Sequence, residues 1–145
     1  MPALENPATS IPLALPPVLA AARRAIPADG GNELVLDLSP DTVQVVLTPA
    51  GPYSRRILAA VEQRTGRDAL AVVAEHQPLF WHWLIAPTAH WTEAPGRTFR
   101  FAHGTLVLPP LTRTGPPGTY WIRTPGSSLL DPAVLREAVR ETEPR

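Results

Sequence analysis

The sequence contains no cysteine. That excludes disulfides, thiol nucleophiles, iron–sulfur clusters and the common structural zinc sites. It contains no lysine either, so all 13 basic residues are arginine. A Walker-type phosphate loop needs Gly-Lys-Ser/Thr and a Schiff-base mechanism needs a lysine amine, so both are excluded. Arginine without lysine beside 19 prolines fits the compositional bias of GC-rich coding sequence and carries no function by itself. Long apolar runs are missing as well. Ile11 to Ala22 is apolar but is interrupted by Pro12, Pro16 and Pro17, and its charges, Arg23 and Arg24, follow it. It is too short to span a bilayer and is built the wrong way round for a signal peptide. A cytoplasmic protein with no membrane association is the expectation. Excess charge is absent too, with 13 acids against 13 arginines. Proteins that bind duplex DNA without regard to sequence are usually strongly basic, because phosphate contacts supply most of their affinity. Neutrality argues against tight duplex binding and leaves room for a local basic patch.

What is present reads as one domain over residues 16–142 behind a loose arm at 1–15, which holds three prolines and no periodicity. A short helix is expected from Pro17 to Ile26, and Asp29 to Asn32 reads as a turn. Leu34 to Leu38 and Val43 to Leu47 look like strands; with only Ser39-Pro40-Asp41 as a turn signal between them they are expected to pair as a hairpin. Pro52 to Arg64 has an apolar residue every four positions at Tyr53, Ile57 and Val61, with Gly66 to end it, and predicts a helix. Further strands are expected at 69–74, 79–86, 98–102, 105–108 and 120–123. In 98–102, Phe99 and Phe101 face one way and Thr98 and Arg100 the other. Asp131 and Pro132 open a last helix that buries Leu135 and Val139. The order predicts an α+β fold: a mixed, mainly antiparallel sheet with helices packed on one face.

Residues 76–123 differ from the rest. They hold all four histidines, all four tryptophans, and Arg97, Arg100, Arg113 and Arg123, with Glu93 as the only acid. A basic, aromatic-rich surface suits single-stranded nucleic acid or nucleotides, arginine for phosphates and rings for stacked bases. On that reading His82, Arg100, Arg113, Arg123 and Trp121 carry the binding, and replacing His82 or Arg100 by alanine weakens it without touching stability. The competing reading puts the tryptophans in the core and the arginines on solvated edges, since aromatics favour strands in any case. The histidines lack metal-ligand spacing. No Gly-x-Ser-x-Gly elbow is present, and Ser127-Ser128 reads as a turn.

Three stretches resemble the bifunctional primase–polymerase branch of the archaeo-eukaryotic primases. Val107-Leu108-Pro109-Pro110 through Thr112-Arg113-Thr114-Gly115 to Tyr120-Trp121 is similar to that family's strand ending in Pro-Pro, its short Ser/Thr/Gly-rich turn and its Tyr-x-Trp. Trp81-His82-Trp83 through Pro87 is similar to the strand bearing the family's nucleotide-binding histidine, and Leu34 to Ser39 to its first metal-binding strand. The resemblance implies a primase–polymerase-like fold over about residues 34–135. It also implies a two-metal site held by three aspartates, because the metals clamp the attacking and leaving oxygens. Here the first pair becomes Asp37-Leu38-Ser39 and the third position becomes Thr98. Only Asp37, His82 and Arg100 keep the expected chemistry, so Asp37 is at most a vestigial metal ligand. Leu79-Phe80-Trp81 stands where the family has Gly-Gly. The expectation is a non-catalytic relative that holds no cofactor and binds single-stranded nucleic acid, a nucleotide or a protein partner in a regulatory role. Two alternatives stand beside it. One is a protein-interaction domain with no ligand site. The other is an active metal-dependent enzyme that recruits Asp41 or Glu93.

Overall fold

The computed structural model describes residues 34–66, 70–75, 80–88, 91, 97–126 and 128–143. The arm at 1–15, the helix at 17–26, the turn at 29–32, and His76, His90 and Glu93 lie outside them. The elements in order are β1 (Leu34–Leu38), β2 (Gln44–Pro49), α1 (Pro52–Thr65), β3 (Val72–Glu75), β4 (Phe80–Ile85), β5 (Phe99–Phe101), β6 (Gly104–Leu108), β7 (Tyr120–Arg123) and α2 (Pro132–Thr142). The fold is α+β, as its periodicity predicts.

The helices begin and end where residue chemistry requires. Pro52 occupies the first turn of α1, where its missing N–H costs nothing. Gly51 before it (φ 110) and Gly66 after it (φ 73) take backbone angles that side chains disfavour. The Gly66 N–H closes the last turn on the Glu62 carbonyl at 2.9 Å. At α2 the Asp131 carboxylate accepts the Ala133 N–H at 2.9 Å, satisfying one of the donors a helix start leaves open.

β2, β3, β4, β5 and β7 form one antiparallel sheet in the order β5-β2-β4-β3-β7, and β1 pairs with β6 in a separate two-stranded ribbon. The expected β1–β2 hairpin is therefore not formed. The turn is there, with the Ser39 N–H on the Val43 carbonyl at 3.1 Å, but it carries the chain from one layer to the next. The reason is burial. Leu36, Leu38, Val43 and Val45 all lie in one apolar cluster with Val73, Leu84, Leu108 and Trp121, and face-to-face stacking buries all four where edge-to-edge pairing would not. A second cluster fills the opposite face: Val46, Val72, Trp81, Trp83 and Ile85 pack against Tyr53, Ile57, Val61, Leu135 and Val139 of the helices. The result is three layers, helices over sheet over ribbon. All four tryptophans are buried.

Polar atoms inside this core are chained together. The Trp83 indole N–H donates to Thr48 Oγ1 at 2.8 Å. Thr48 and Ser54 hydroxyls lie 2.5 Å apart, and Ser54 donates to the Pro49 carbonyl. An indole N–H only donates and a carbonyl only accepts, so Thr48 must be the donor to Ser54. A second clamp joins α1, α2 and the chain entering β5. The Tyr53 hydroxyl donates to Glu143 and accepts the Arg97 N–H at 3.2 Å, while the Arg97 guanidinium lies 5.0 Å from the Tyr53 ring centre. Burial first, and then the bond to Glu143, raise the phenol above its ordinary pKa.

Trp83→Ala is expected to destabilise the domain by about 3–5 kcal/mol. Thr48→Val, which leaves the indole N–H buried without its acceptor, is expected to cost about 1–3 kcal/mol. Urea unfolding measures both. Because the folded Tyr53 pKa is raised, the folded state holds its proton to higher pH than the unfolded chain does. That contribution is intact below about pH 10 and is lost as the pH rises through the folded value. Tyr53→Phe is expected to flatten this alkaline limb in melts recorded across pH 8–11; an unchanged limb would assign it to another group.

Candidate ligand groove beside the seventh strand

The strand registers decide which of the expected binding residues meet. On β2, His82 is opposite Leu47 and Arg100 is opposite Val46. Consecutive strand residues point to opposite faces, so His82 lies on the ribbon side and Arg100 on the helix side. They do not share a surface. The β3–β7 ladder shifts register between Val72 and Val73, which sets Arg123 opposite Val72, and its ion pair with Glu62 of α1 places it on the helix side as well. Arg100 and Arg123 nevertheless sit on opposite edges of the sheet, four strand spacings or about 19 Å apart. Arg100 is already committed: its guanidinium donates to the Gln44 Oε1 and to the Thr88 carbonyl, each at 3.0 Å, and Gln44 is fully buried. It is a structural residue, and the expectation that it binds ligand is corrected here. Trp121 is corrected too. It is 1 % exposed and its indole N–H is spent on the Pro109 carbonyl at 3.0 Å, so its ring offers no face for a base.

The vestigial metal positions do not converge either. Asp37 alternates with the inward Leu36 and Leu38, and so faces away from the sheet, where Thr105 Oγ1 donates to it at 3.3 Å. Ser39 Oγ accepts the Asp41 N–H at 3.1 Å. Thr98 is buried in the run into β5. Among the described residues no group of three or more His, Asp or Glu is arranged to hold a metal ion.

Arg123 lines an open groove of about 760 Å³, and Arg113 lies against Gly118 in one of its walls. Its walls are the start of α1 (Ala50, Gly51, Arg55, Leu58), the loop ahead of β7 (Thr114, Pro116, Pro117, Gly118) and β7 itself, over a floor that includes Ala74 and Trp81. This is within the usual size range of small-molecule sites. Among the described residues no acidic side chain lines it. A smaller hollow of about 370 Å³ shares Thr114, Trp121, Ile122 and Arg123 and extends to Gly126. The wall between β6 and β7 is pinned by backbone: the Arg113 N–H bonds to the Pro110 carbonyl, and its own carbonyl accepts the Trp121 N–H, both at 2.9 Å. The Arg113 guanidinium then lies over Gly118. A Cβ at that position would sit 3.5 Å from Nη1, on a backbone at φ +84.

Two arginines line the groove, Arg55 and Arg123, and Arg113 lies against its wall; the three are in different states. Arg123 holds the Glu62 carboxylate at 2.5 Å and its own Ile122 carbonyl at 2.8 Å, which fixes its plane. Arg55 and Arg113 are exposed, and among the described residues neither is in an ion pair. Tyr120, half-buried on β7, is the ring with access to the groove. The sequence reading missed Arg55, because it lies 58 residues before Arg113 on a helix and only tertiary packing brings it there. Comparison with known protein families, with curated proteins and with solved structures finds no match.

Arg100→Ala is expected to destabilise by about 1.5–3 kcal/mol, the cost of losing charged hydrogen bonds and stranding buried Gln44, and to leave any groove ligand bound as before. Chemical unfolding together with a binding titration tests this. Lost binding at unchanged stability would restore Arg100 to the site.

Proposed function

We propose that this chain is a non-catalytic, primase–polymerase-like module that binds single-stranded nucleic acid or a nucleotide in the groove beside β7. The observation that carries the reading is the groove's charge: Arg55 and Arg123 line it, Arg113 lies against its Gly118 wall, and among the described residues no acid lines it. Arginine guanidinium groups suit phosphate because their donors form a fixed fork. Tyr120 supplies a ring for a base, the combination that single-strand binders use. The segment that carries the strongest family resemblance, Val107 to Trp121, is also the segment that builds the groove wall. Ser39 and Thr98 at two of the three aspartate positions support the non-catalytic part, since one carboxylate holds two hard cations poorly. His82, on the far face of the sheet, stands outside this site. A cytoplasmic, regulatory role remains part of the proposal; among the described residues no helix is long and apolar enough to cross a membrane.

The test is a titration of labelled single-stranded DNA and of a nucleoside triphosphate, each with and without magnesium or manganese. Metal-independent binding is expected. For the single strand, two arginine–phosphate contacts, from Arg55 and Arg113, give a slope of log K against log salt of about −1.4. Arg55→Ala, at an exposed position, is expected to weaken binding about tenfold with an unchanged melting temperature. Triphosphate binding that requires the metal would overturn the non-catalytic assignment. Binding of neither ligand would overturn the reading as a whole and favour a protein-interaction domain.

A further inference from the structure

The other edge of the sheet has a different character. Among the described residues β5 bonds to β2 on one side only and ends the strand order. Phe99 is 60 % exposed and Phe101 48 % exposed, and both lie on the ribbon-side face. The strand's one charge, Arg100, is turned to the opposite face and held by Gln44 and Thr88. Edge strands are normally protected by lysine, proline, a bulge or an inward charge aimed at an incoming strand. β5 has no proline or lysine, its register with β2 is regular, and its arginine is occupied within its own copy.

From this geometry we infer that β5 pairs antiparallel with β5 of a second copy of the chain, on a two-fold axis through Arg100. The partner is the chain itself because the two phenylalanines of the edge are self-complementary; the facing Arg100 pair is a like-charge contact that opposes pairing, lessened because each guanidinium is held by Gln44 and Thr88 of its own copy. With Arg100 opposite Arg100, Phe99 of each copy faces Phe101 of the other, which gives two cross-strand aromatic pairs on one face. Zero formal net charge means that no long-range repulsion opposes the approach of two copies. The groove is at the far edge, so pairing leaves it open. A three-residue edge buries little area, and the dimer is correspondingly weak.

Sedimentation velocity of the full chain between about 1 and about 300 µM is expected to show monomer giving way to dimer. Phe99→Glu is expected to stay monomeric throughout with an unchanged melting temperature. The natural absence of cysteine permits a test of register. An oxidised mixture of Phe99→Cys and Phe101→Cys chains should cross-link, because the positions face each other directly. Phe99→Cys alone should not, because its two copies are diagonal and about 7–8 Å apart, beyond disulfide reach. Monomer at every concentration overturns the inference, as does a dimer that survives Phe99→Glu. A large fall in melting temperature for Phe99→Glu in a chain that never dimerises also overturns it and means that the pair is covered from within the same chain. Cross-linking of Phe99→Cys alone overturns the register.

Discussion

The arrangement depends on a line of hydrogen bonds through the core, from the Trp83 indole to Thr48, to Ser54, to the Pro49 carbonyl. It crosses three elements. Trp83 belongs to β4, Thr48 and Pro49 to the end of β2, and Ser54 to the first turn of α1. An apolar core would hold these elements together by area alone, with little preference among small slides of helix over sheet, because burial is not directional. Buried donors and acceptors are different, since each must find its partner. The line fixes how α1 leaves the sheet, and so where Gly51 and Arg55 stand relative to β7. One wall of the groove is set by a tryptophan that lies inside the core.

The opposite wall is set by another. Trp121 is pinned by its indole N–H to the Pro109 carbonyl and by its backbone N–H to the Arg113 carbonyl. The Pro- and Gly-rich connection is thereby tied back onto the strand that follows it, with Arg113 lying over Gly118. The tryptophans of this chain are thus indirect participants. None presents a stacking face, yet two of them position the arginines that border the groove. Aromatic enrichment beside arginine in a sequence is read too quickly as a binding surface when the rings carry the scaffold and the charges carry the contact.

The sequence made the elements legible and left their neighbours hidden. Proline and glycine mark the ends of α1 directly, and alternation marks Phe99–Arg100–Phe101, because both signals act over a few residues. Strand pairing is long-range. Nothing near Leu36 says that it will face Leu106 rather than fold back on β2, and the turn at Ser39 looks the same in either case. The candidate site failed at the same point. His82 and Arg100 both lie on strands and both suit a phosphate, but whether they share a face depends on which residues of β2 they oppose, Leu47 for one and Val46 for the other. A difference of one residue sends them to opposite layers. Arg55 was hidden for the complementary reason: nothing local distinguishes it from Arg56 beside it, and only the docking of α1 turns it toward β7.

The two edges of the sheet answer one physical problem in opposite ways. An edge strand offers unpaired backbone groups that must be covered, charged or paired. At β7 the chain covers its own edge with the Pro109–Thr119 connection, and the space left between that cover and α1 becomes the groove. At β5, among the described residues, the edge is bare and apolar, and a second copy is the cover proposed for it. Joining two copies there makes one sheet of ten strands with a groove at each end, about 40 Å apart at the usual strand spacing. A mononucleotide would meet the grooves as independent sites. A single strand long enough to reach both would be held by both, and the second contact would then be made at the high effective concentration set by the first. Ligand length is therefore the variable through which association at β5 and binding at β7 become coupled.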